Sequence, residues 1–146
     1  MKLAFESDMP APPILTVLYF LTDRAVICVD EIHYDKEKGI VTIILQRNEI
    51  TGYQGTLLRE TRPVYSHTKI RSILTIKQVE DIIINIDNRL IADCGSCFTV
   101  LFGLKIEHNQ LYLGSAEEVQ GHLLCQIFIK VKEISIEFAD EIIGQT

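Results

Sequence analysis

The sequence predicts a mainly β protein: a single antiparallel β-barrel or two-layer sandwich with one short helix near 115–122. Two observations carry this. Apolar residues make up 47% of the 146 residues, and isoleucine dominates them while alanine is scarce. β-Branched side chains fit a pleated surface and lose rotamer freedom in a helix. Stretches of period-two alternation also recur between turn-forming residues. No repeat, linker or low-complexity tract divides the chain, so 1–146 reads as a single domain. That length can bury an ordinary core without metal or disulfide support.

The elements follow in order. The proline-rich start MPAPPI predicts an extended N-terminal arm over 1–13. Leu15–Thr22 and Ala25–Tyr34 read as strands. The loop DKEKG ends in Gly39 and returns the chain as Ile40–Gln46, a hairpin with a glycine available for positive φ. Gly52 and Gly55 predict a turn or bulge, and Pro63 an edge or loop. Lys69–Lys77 is a strand.

The stretch 78–90 supports two readings. Val79, Ile82, Ile83, Ile86 and Leu90 form a helical stripe, giving an alternative α+β fold with an additional helix near 78–90. Ile82, Ile84 and Ile86 instead line one face of a strand, and the propensity of the isoleucines favours that reading. Phe98–Glu107 reads as a strand containing Gly103, EHNQ as a turn, and Leu111 with Leu113 as the return strand. Ser115 with Glu118 three residues on is a capping box and places the short helix. In Gln126–Phe138, Ile127, Ile129 and Val131 alternate, then Ile134, Ile136 and Phe138 do so on the opposite parity. The slip at Lys132-Glu133 calls for a bulge, or a bend where the chain changes sheet.

The net charge of −6 argues against nucleic acid, whose phosphates require clustered positive surface. The charge is uneven: residues 59–77 carry +4 and the remainder −10. Such a map can orient an acidic partner or a second copy. The run Ile14–Leu21 follows Glu6 and Asp8, not a basic region, and is too short for a membrane helix. The expectation is therefore a cytoplasmic protein with no membrane association and four reduced cysteines.

The chemistry-bearing stretch is DCGSCFTVLFG, residues 93–103. Cys94 and Cys97 have dithiol spacing, but a redox motif needs a helix N-terminus after the strand, and FTVLFG favours a strand. Cys94 and Cys97 with His122 and Cys125 also offer three sulfurs and an imidazole, a tetrahedral zinc set. Leu123 and Leu124 between the second pair want burial, which weakens it. The favoured reading is a Gly-Ser turn flanked by small thiols, with no cofactor and zinc as the alternative. Glu31, His33 and Asp35 share a strand face, and the acidic pairs, Asp140-Glu141 among them, read as surface charge. No phosphate loop, nucleophile elbow or HExxH motif occurs.

Three functions are consistent with this. The first is a non-catalytic β domain acting in self-association, as a homodimer, or in binding a protein partner. An edge strand near Pro63 or the long strand Gln126–Phe138 would carry the contact. The second is a small-molecule-binding β-barrel with Arg59, Arg62 or Arg71 at its mouth, able to grip a phosphate or carboxylate. The third is the zinc or dithiol site at the Cys94/Cys97 turn.

Overall fold

The computed structural model describes residues 2–6, 11–56, 63–89, 95–116, 118–119 and 122–144. Among the described residues the protein is mostly β, in two packed antiparallel sheets with a short helix. The described residues form the strands β1 (Lys2–Glu6), β2 (Val26–Asp35), β3 (Ile40–Thr56), β4 (Pro63–Ile76), β5 (Val79–Ile86), β6 (Cys97–Thr99), β7 (Lys105–Glu107), β8 (Gln110–Gly114), β9 (Glu118–Val119), β10 (His122–Leu123), β11 (Cys125–Val131) and β12 (Ser135–Gly144), with helix α1 at Ala11–Thr22. The larger sheet runs β1-β12-β4-β3-β2-β6 and the smaller β5-β11-β8-β7, with β9-β10 a separate ribbon. Neither sheet closes on itself. The architecture is the sandwich, not the barrel.

The core lies between the sheets. Val41, Ile43 and Leu45 of β3, Leu74 and Ile76 of β4, and Ile136 and Phe138 of β12 face Leu111 and Leu113 of β8 and Cys125, Ile127, Ile129 and Val131 of β11, all buried. These are the alternating positions of each strand, as one buried face demands. The chain changes sheet between β11 and β12, across residues 132–134, where the hydrophobic parity slips. The stretch 126–138 is therefore two strands, each paired on both sides, and offers no free edge.

The β2–β3 hairpin is as expected, with Gly39 at φ 64°. β3 shifts register at Ile50/Gly52 and Tyr53/Gly55, the bulges that its glycines predict. Pro63 opens β4, a position that needs no ladder donor. Residues 79–86 are a strand, so the additional helix near 78–90 is not formed there.

The short helix stands elsewhere than expected. The described residues of 115–122 are not helical: Ser115 is fully buried, its hydroxyl accepts the Cys125 amide at 3.1 Å, and its own amide donates to the Cys125 carbonyl at 2.9 Å. A hydroxyl committed to a neighbouring strand cannot cap a helix. The helix is α1, within the segment read as a strand over Leu15–Thr22. Pro12 and Pro13 fall in its first turn, where missing amides cost nothing, and Ile14, Leu18 and Leu21 have helical spacing. Of the extended arm expected over 1–13, Lys2–Glu6 are extended as β1, which pairs with β12, and the chain is helical from Ala11; residues 7–10 lie outside the described residues.

The strand expected over Phe98–Glu107 is also broken. Phe102 (φ 64°) and Gly103 (φ 74°) turn the chain from β6 in the larger sheet to β7 in the smaller. A Cβ on Gly103 would run into the Tyr19 carbonyl oxygen, so the turn and the end of α1 require glycine there. Thr22 ties them together, its hydroxyl donating to the Leu18 carbonyl at 2.7 Å and accepting the Leu104 amide at 2.7 Å. Among the described residues no helix is long and apolar enough to cross a membrane.

Candidate functional site: the outer face of the smaller sheet

Strand parity builds this face. Leu111 and Leu113 of β8 and Ile127 and Ile129 of β11 point into the core, so Gln110, Tyr112 and Gly114, and Gln126, Phe128 and Lys130, point outward. Register then aligns them into rows, two of which cross all four strands. Ile83, Phe128, Tyr112 and Lys105 form the middle row. Asp81, Lys130, Gln110 and Glu107 form the row on one side, and Asn85, Gln126 and Gly114 the row on the other.

The middle row is apolar apart from Lys105. Tyr112 and Phe128 have ring centroids 5.1 Å apart at an interplanar angle of 49°. Lys105 Nζ stands 6.0 Å from the Tyr112 centroid and 5.6 Å from that of Phe102, close enough for cation–π attraction. Ile83 is 52% exposed and Phe102 50%, a high degree for large apolar side chains. Tyr112 is held in place. Its hydroxyl accepts from Gln126 Nε2 at 3.1 Å and lies over Gly114, where a Cβ would come within 2.5 Å of that oxygen. A trough of about 520 Å³ runs beside this row, between Ile83 with Phe128 and the charged side chains Asp81, Glu107 and Lys130.

Among the described residues, none of those expected to carry a site is brought to this face. Arg71 lies on β4 between Gln46 and Glu141, on the outer side of the larger sheet, and its Nε is buried without a hydrogen-bond partner. Arg59 and Arg62 lie outside the described residues, so the three arginines form no described cluster. The sandwich also has no barrel mouth for them to guard.

The cysteines are arranged differently from either cysteine-based expectation. Cys97 is bonded to Cys28, 69 residues away, with the two Cα atoms 3.9 Å apart. Four reduced thiols were expected, and two of the four are oxidised. The pair sits where β2 and β6 run side by side and the Val29 amide donates to the Ser96 carbonyl at 2.8 Å, which makes Cys28 and Cys97 a non-hydrogen-bonded pair with close side chains. A sulfur in this bond is no thiolate ligand. Cys125 is a fully buried thiol whose pKa burial pushes up to about 12. Cys94 lies outside the described residues, as does the side chain of His122. Among the described residues no group of three or more His, Cys, Asp and Glu side chains is placed to hold a metal.

A second feature escaped the sequence. Arg47 Nη2 donates to Asp140 Oδ2 at 2.7 Å, Ser72 Oγ donates to Asp140 Oδ1 at 2.6 Å, and Arg47 Nε donates to Ser72 Oγ at 3.2 Å. Three strands contribute one residue each, on the inward face, and the Arg47 and Asp140 side chains are only 10% and 9% exposed. Asp140, in a pair whose sequence suggests surface charge, is the acceptor of a buried network. Its residues lie in three distant segments, and only sheet register unites them. No known protein family, curated protein or solved structure matches the chain.

Proposed function

We propose that this chain is a non-catalytic β-sandwich whose work is protein association, through the outer face of the smaller sheet. The outward apolar row of Ile83, Phe128 and Tyr112, exposed at Ile83 and half-buried at the two rings, supports this reading, because rigid aromatics at the centre of a polar rim carry most of the energy of interfaces. The net charge of −6 speaks against nucleic acid as the partner.

The charge map gives this association less than its sequence suggests. Within the window 59–77, Lys77 is already engaged with Glu137 at 2.8 Å and Arg71 is half-buried. Affinity must come from the apolar row. The Cys28–Cys97 bond fits an oxidising compartment better than the cytoplasm that the sequence reading favours.

Light scattering of the wild type and of Phe128→Ser across the micromolar range tests the proposal. The wild type should associate and the variant should do so much less, with unchanged circular dichroism. A wild type that is monomeric throughout, and captures no protein partner through this face, refutes it.

A further inference from the structure

Resting on that reading, we propose the partner: a second copy of this chain, joined by antiparallel pairing of β5 with β5 about a two-fold axis at Ile83. β5 is the outermost strand of the smaller sheet and is eight residues long, whereas the edge strands β6 and β7 have three each. The Asp87 amide donates to the Leu124 carbonyl at 2.9 Å, which sets the phase of the ladder. In the β5–β11 register, residues 81, 83 and 85 then bond to β11, and the amides and carbonyls of Ile82, Ile84 and Ile86 point outward. Asp81 Oδ1 accepts the Ile82 amide at 2.9 Å. Among the described residues, no hydrogen bond from beyond the sheet reaches Ile84 or Ile86.

Edge strands are ordinarily protected by lysine, proline or a bulge. β5 contains neither lysine nor proline, and its register shift lies before Asp81, leaving 81–86 regular. The strand is also complementary to itself. With Ile83 on the axis, the Ile84 amide meets the Ile82 carbonyl of the second copy, and the Ile82 amide exchanges Asp81 Oδ1 for the Ile84 carbonyl of the second copy. Asp81 comes opposite Asn85, so a carboxylate meets an amide and no like charges face each other. Moving the axis to Ile84 would instead set Asp81 against Asp87, two carboxylates. The 52% exposed Ile83 is covered by its counterpart, and the row Tyr112–Phe128–Ile83 continues across the axis into the second copy. A pairing this short falls at the low end of interface size, below roughly 1,200 Å², so dissociation in the micromolar range is expected.

Charge-swapped variants test this. Ile83→Lys and Ile83→Glu each place like charges on the axis, at a side chain exposed enough for the fold to tolerate them. In sedimentation equilibrium each variant alone should dimerise at least tenfold more weakly than wild type, and an equimolar mixture should recover a heterodimer. Variants that dimerise like wild type overturn the β5 pairing; if Phe128→Ser then abolishes the dimer, association through the face survives without it. Failure of the mixture to recover also overturns the register. A wild type monomeric at every concentration overturns the second copy as partner, and leaves only a different protein for the face.

Discussion

Cys28 and Cys97 face each other across β2 and β6 with their Cα atoms 3.9 Å apart and their sulfurs joined. The bond ties a three-residue edge strand, whose Phe98 is buried in the core, to a ten-residue one. Non-reducing peptide mapping should recover a Cys28–Cys97 cross-link. Because the bond closes a loop of 69 residues, Cys28→Ser with Cys97→Ser should lower stability by about 2–4 kcal/mol. A fully reduced native protein, titrating four thiols after unfolding, would contradict the pairing.

The Arg47–Ser72–Asp140 network should behave as a buried ion pair does. Asp140→Ala strands the Arg47 guanidinium on the inward face and should cost about 3–5 kcal/mol, whereas Arg47→Met combined with Asp140→Leu should cost much less. Urea unfolding of the two variants checks the difference, and equal losses would refute the coupling.

Cys125 should resist alkylation in the native state at pH 8 and react once the chain unfolds. The burial that raises its pKa from 9.0 to about 12 also sets a pH dependence. Below pH 9 both states hold the proton and the thiol costs nothing. Between pH 9 and 12 only the unfolded chain ionises, so stability falls as pH rises. Cys125→Val should flatten that part of the curve, and an unchanged slope would show that other groups cause it.

Gly103→Ala should destabilise strongly, by more than about 1 kcal/mol. The residue has positive φ and an added Cβ would meet the Tyr19 carbonyl oxygen. A thermal melt checks it, and an unchanged midpoint would refute the packing of α1 on this turn.

Much of this sandwich is legible in the chain because local and tertiary demands agree. The parity slip at Lys132-Glu133 marks where β11 leaves the smaller sheet for the larger, and Gly52 and Gly55 mark bulges. Where they conflict, the local reading fails. Ser115 and Glu118 have capping-box spacing, yet Ser115 bridges Val100 and its hydroxyl accepts the Cys125 amide. Leu15–Thr22 has strand-forming residues, yet two prolines and a helical apolar stripe make it α1. The site is less legible than the fold. Tyr112 and Phe128 are visible as outward residues once β8 and β11 are strands, but their alignment with Ile83 depends on register between segments far apart in sequence.

Amide exchange at Ile84, followed as protein concentration rises, tests the association through β5 most directly. Its N–H points away from β11, while that of Asn85 is bonded to it. Exchange at Ile84 should slow as the chain crosses its dimerisation midpoint, with Asn85 protected throughout. Fast exchange at Ile84 that is indifferent to concentration would contradict the pairing.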